Sequence, residues 1–155
     1  MINKKNKDLI FKAAILTQLK KKLLISNINF NQNLSRGQVL IKLYYSGICG
    51  SQIGEINGVK GKDKFLPHLL GHEGTGIIVN KNKNVKKFKV GDRVILHWQK
   101  SDGYDSCSPN YFMGKKKINA GKVTTFNEFA VVSENRITRI PKGISEKEAV
   151  IFGCA

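Results

Sequence analysis

Short runs rich in β-branched and aromatic residues, each ended by a turn within about ten positions, constrain this chain more than any other feature. FKAAILT at 11–17 is followed by a charged break at 19–22 and a second run at 23–30. Ser35, Arg36 and Gly37 then form a turn before QVLIKLYY at 38–45. Pro67 leads through a loop into a strand over Ile77, Ile78 and Val79, and the Gly91-Asp92 turn precedes another at 93–97. Strand patterning resumes at 126–132 and 136–140. A short helix fits 51–57, and Ser145 followed by Glu146 and Glu148 has the form of a capped helix start. Residues 99–121 read as one long irregular loop. Many short strands with little helix predict a mainly β fold, a compact barrel or sandwich, with helix gathered at the end.

At 155 residues the chain has the size of one domain, and no repeat or low-complexity linker divides it, so 1–155 is read as a single unit. A net charge of +16 invites a nucleic-acid reading. The lysines are scattered, from Lys4, Lys5 and Lys7 through Lys60, Lys62 and Lys64 to Lys115, Lys116 and Lys117, and no nucleic-acid motif accompanies them. They read as a solvated surface, with no nucleic acid expected as partner. No run approaches the roughly 18 apolar residues of a membrane span, and Lys12 interrupts the apolar stretch near the N-terminus. Three widely spaced cysteines form no disulfide framework and point to a reducing, cytoplasmic compartment.

The groups that can carry chemistry are Cys49 in GICGS, His72 and Glu73 in GHEG, and Cys154 in FGCA. Glycines on either side of Cys49 and of the His72-Glu73 pair let the backbone turn and present those side chains. Two thiolates and an imidazole meet the needs of a catalytic zinc, which takes three protein ligands and keeps one position open. Separations of 23 and 82 positions, with no C-x-x-C pattern, leave this open on spacing alone. His68 reads as a loop or cleft-wall residue, and His97 with Trp98 as cleft lining or a structural strand end. Asp92 and Arg93 read as a local salt bridge, and Gly71, Gly74 and Gly76 as points of close backbone approach.

The runs GICGSQIGEINGVKG, LPHLLGHEGTGIIVNKNKNVKKFKVGDRVIL and GKVTTFNEFAVVSENRITRIPKGISEKEAVIFGCA resemble the N-terminal domain of the medium-chain zinc-dependent alcohol dehydrogenases. The likeness runs over roughly 9–155. It implies a partly open barrel like the co-chaperonin GroES, with short helices, and one catalytic zinc on Cys49, His72 and Cys154. Glu73 would be an exchangeable fourth carboxylate or a support beside the histidine, and Ser51 the proton-relay hydroxyl, with a cap of the short helix as its other or additional role. Many relatives carry an acidic residue where this chain has Gln52, which leaves the tuning of the histidine in question. Relatives also hold a structural zinc on four cysteines after the position of His97. This chain has only Cys107 there, so no structural zinc is expected, and Trp98, Tyr104, Tyr111 and Phe112 are left to anchor the loop.

In the family a nucleotide-binding Rossmann domain follows the position of Cys154, and no G-x-G-x-x-G unit lies in this sequence. The expectation is therefore a truncated oxidoreductase, inactive alone. In full length it would be a homo-oligomer acting on a small-molecule alcohol, aldehyde or ketone with NAD or NADP. The competing expectation is a stand-alone, non-catalytic GroES-like module that binds a partner through its basic surface.

Overall fold

Alternation of inward and outward side chains makes the first strand. In β1, Leu9–Leu16, Phe11, Ala13 and Ile15 are buried while Ile10 and Lys12 face out. The computed structural model describes residues 8–154; Lys4, Lys5, Lys7 and Ala155 lie outside them. β1 pairs antiparallel with β2, Leu24–Phe30, which places Leu9 opposite Phe30 and Ile15 opposite Leu24. β3, Gln38–Ser46, begins with four consecutive buried residues, so its first half is covered on both faces. Val39 and Ile41 enter one apolar cluster and Leu40 enters the other.

After β3 come α1, Gly50–Ile56; β4, His68–Leu69; β5, Gly74–Lys81; and β6, Arg93–Leu96. They are followed by β7, Tyr111–Met113; β8, Lys116–Ile118; β9, Phe129–Ser133; β10, Ile137–Arg139; and α2, Glu146–Ala149. Single 3₁₀ turns occupy Glu134–Arg136 and Val150–Gly153. One five-stranded sheet has the order β4-β1-β2-β7-β8 and the other β10-β6-β5-β3-β9. Residues 126–128 stitch them along one side. Phe126 and Glu128 carbonyls accept from Ala14 and Leu43 N–H at 2.8 and 2.9 Å, and Glu128 N–H donates to the Lys12 carbonyl at 3.0 Å. The result is the partly open barrel that the resemblance implied. Among the described residues no helix is long and apolar enough to cross a membrane.

The expected long loop contains an element that composition hides. β7 and β8 form a hairpin of three residues a side, turning at Gly114 with φ +58°, in a stretch crowded with lysine. Tyr111 holds it: the ring is fully buried, packs edge-on to Phe11 at 5.9 Å, and its hydroxyl accepts from Val131 N–H at 2.9 Å. Phe112 is half-buried, Tyr104 lies under the Arg36 guanidinium at 4.9 Å, and Trp98 is 51% exposed, so Trp98 is not an anchor.

Asp92 and Arg93 do not pair with each other. Asp92 accepts from Arg139 at 2.9 Å, and Arg93 donates to Glu146 at 2.6 Å and to the Ile144 carbonyl at 2.8 Å. Asp92 ends the turn before β6 and Arg93 opens the strand, and each reaches a different distant partner. The Arg93 contacts bind α2 to β6 and thereby fix the approach of the 3₁₀ turn that ends at Cys154.

Candidate metal centre

Three chain segments that are far apart in sequence meet beyond the end of β3. β3 closes at Ser46, and Gly47 N–H donates to the Glu73 carbonyl at 3.1 Å, pinning the turn before α1 to the turn before β5. Ser46 Oγ reaches the same carbonyl at 3.3 Å and Thr125 Oγ1 at 2.7 Å. Two glycines make the approach possible. A Cβ on Gly47 would lie 2.7 Å from the Glu73 carboxyl carbon, and one on Gly153 would lie 2.5 Å from Glu73 Cβ and 2.7 Å from the Leu96 carbonyl oxygen. Any larger residue at 153 would push the last segment away.

The donor atoms of Cys49, His72, Glu73 and Cys154 all lie within 4.8 Å of one another. The Cys154 thiol points at Cys49 Sγ across 3.8 Å. Two thiolates on one tetrahedral zinc, each bond about 2.3 Å, sit about 3.8 Å apart, so the sulfurs already hold that separation. Nε2 of His72 is buried without a hydrogen-bond partner, an arrangement that costs free energy unless something binds there. Its other nitrogen, Nδ1, is engaged by the Gln52 amide at 2.6 Å. The donor set, the orphaned ring nitrogen and the glycine cradle all fit a zinc ion.

The two sulfurs differ electrostatically. The Ser51 hydroxyl, then the Ser51 backbone N–H, then the Cys154 thiol lower Cys49 below the ordinary thiol value. Burial, and next the Cys49 sulfur, push Cys154 up. Cys49 is therefore the first of the pair to carry charge. Ser51 sits in α1, exposed, with Cys49 rather than Ser51 at the N-cap. Glu73 is 7% exposed, far below the usual exposure of a glutamate.

The other candidates lie elsewhere. His68 is buried and holds the 60–65 loop: its Nε2 lies 2.7 Å from the Asp63 carboxylate and its Nδ1 3.1 Å from the Leu69 carbonyl. It walls a cavity of about 340 Å³ shared with Gln52 and His72. Asp63 was not among the sequence candidates, because only the turn at 64–67 brings it back to His68. His97 contacts the Gln99 carbonyl at 2.8 Å and Thr138 at 3.1 Å, a structural role at the strand end. Trp98, Phe152 and Cys154 border a second cavity of about 290 Å³. Cys107 is exposed and free.

Residues 35–142 match the family described as the alcohol dehydrogenase GroES-like domain. The chain belongs to that family. Within the alcohol dehydrogenases, one curated relative from Geobacillus stearothermophilus is 29% identical over 153 residues, a match covering 93% of this chain and 44% of that one. The S-(hydroxymethyl)glutathione dehydrogenase of Candida maltosa is 27% identical, with 96% of this chain and 45% of the relative covered. A solved alcohol dehydrogenase zinc-binding domain protein from Burkholderia ambifaria superposes with a TM-score of 0.83 at 18% identity, over 96% of this chain and 46% of that one. The shared family fold is thus the barrel described above, and the chain spans under half the length of these relatives.

Proposed function

We propose that this chain is the zinc-holding, substrate-facing part of an alcohol dehydrogenase-like oxidoreductase, with Cys49, His72 and Cys154 as metal ligands. The convergence of those three donors with Glu73 inside 4.8 Å carries the reading. A zinc ion bound there supplies Lewis acidity toward an alcohol or carbonyl oxygen and so assists alcohol oxidation and its reverse. Among the described residues no strand, glycine-rich turn and long helix follow in succession, the arrangement that cradles a dinucleotide pyrophosphate, so we assign none of them to NAD or NADP.

The chain's own groups divide the remaining work. Ser51 Oγ, exposed and hydrogen-bonded to the Cys49 sulfur, takes the proton of an incoming alcohol and releases its own to solvent. The Glu73 carboxylate would offer the centre a fourth donor, or a negative charge beside His72. Exposed Trp98 and Phe152 offer apolar walls for the carbon skeleton of a small alcohol, aldehyde or ketone.

Purified under reducing conditions, the chain is expected to carry one zinc per molecule by elemental analysis. Cys49→Ala, His72→Ala and Cys154→Ala should each weaken zinc binding at least a hundredfold, while Cys107→Ala leaves it unchanged. Full zinc occupancy in Cys49→Ala and Cys154→Ala would remove the reading.

A further inference from the structure

Gln52 touches two of the proposed ligands at once. It is 4% exposed, in the first turn of α1, with its terminal amide between the Cys49 backbone and the His72 ring. Its Oε1 accepts from Cys49 N–H at 3.3 Å, and its Nε2 donates to His72 Nδ1 at 2.6 Å. The second bond has a consequence for His72. A ring nitrogen that accepts a hydrogen bond carries its lone pair there, so in neutral imidazole the proton sits on the other nitrogen. In this geometry that is Nε2, the buried atom with no partner.

Metal binding through Nε2 requires the opposite tautomer, with the lone pair on Nε2 and the proton on Nδ1. Nδ1–H then needs an acceptor. Gln52 can present its carbonyl oxygen only by rotating the amide, which sets the NH₂ group against Cys49 N–H, donor against donor. Either amide orientation satisfies one neighbour and fails the other once metal is bound. A carboxylate has two acceptor oxygens and satisfies both.

We infer that Gln52 is a positioning residue that restrains metal uptake, because it favours the non-ligating tautomer of His72 and couples that choice to the backbone of Cys49. This rests on the reading of Cys49, His72 and Cys154 as zinc ligands. Loading the centre breaks one Gln52 hydrogen bond. Gln52→Glu removes the conflict and should tighten zinc binding about tenfold or more, within the 10–100-fold range of such supporting contacts.

Two readouts test it, neither depending on catalysis. Nitrogen-15 spectra of the His72 ring in the metal-free chain should show the proton on Nε2, and on Nδ1 in Gln52→Glu. Chelator competition with zinc should give the lowest Kd for Gln52→Glu, with Gln52→Leu, which removes the bond that loading breaks but supplies no acceptor, falling between it and the wild type. A metal-free wild-type ring already protonated on Nδ1 would overturn the inference without needing any variant to fold. Equal or weaker zinc binding by folded Gln52→Glu would overturn it too. If neither chain binds zinc while both fold, the underlying metal reading fails, and this inference with it.

Discussion

Tyr111 shows how much one side chain can do in a small barrel. It is 0% exposed, touches Phe11 and Phe30, and accepts the Val131 N–H in the middle of β9. Burial, the largest influence, drives its phenol far above the ordinary value, so the hydroxyl stays neutral. Tyr111→Phe keeps the ring and removes the acceptor, leaving Val131 N–H unpaired in the core. The expected loss is about 1–3 kcal/mol of stability in urea unfolding, with the folded spectrum retained. The side chains of the site were legible to different degrees. Cys49, His72, Glu73 and Cys154 stood out by their glycine settings and the family resemblance, and the structure gathers them in one place. Asp63 and the distant partners of Asp92 and Arg93 were not legible. Asp63 and Asp92 lie outside the strands and Arg93 at the first position of β6, and which partner each meets depends on the tertiary fold.

Elements were most legible where the pattern was long. β1, β2, β3 and β5 run seven to nine residues and were all marked by apolar runs in the sequence. β4, β7 and β8 have two or three residues each, too few for periodicity to register against a background of lysine and glycine. α2 was marked by its cap: Ser145 Oγ accepts from Glu148 N–H at 3.2 Å and Glu148 returns a carboxylate to Ser145 N–H at 3.0 Å. The link from α2 to β6 carries a pH dependence. The Arg93 hydrogen bond, first among its causes, holds Glu146 below the ordinary carboxylate value. A group whose value is lowered by folding stabilises the fold above its unfolded value, about 4.3, and loses that contribution as pH falls through the lowered folded value. Thermal unfolding between neutral and acid pH should therefore show a decline that is shallower in Glu146→Gln, which starts less stable at neutral pH. Identical acid limbs in the two proteins would contradict the link.

At the scale of the whole molecule, the barrel brings the turns carrying residues 49, 72 and 154 to one end and leaves Ile48, Trp98, Ile151 and Phe152 exposed. The mainly β architecture followed from short strands and turns, which left barrel and sandwich open; the resemblance implied the partly open barrel, and the seam along 126–128 is visible only in the structure, since closure depends on strand tilt and register across the chain. The positive charge of +16 is spread over this surface and does not concentrate at the proposed centre, where the donors are two sulfurs, an imidazole and a carboxylate. The central claim is that one zinc joins these three turns through both cysteines. X-ray absorption at the zinc edge of the loaded chain tests it most directly. The account expects two sulfurs at about 2.3 Å and one imidazole nitrogen at about 2.0 Å, completed by a single oxygen. A shell of nitrogen and oxygen alone, or with a single sulfur, would contradict it.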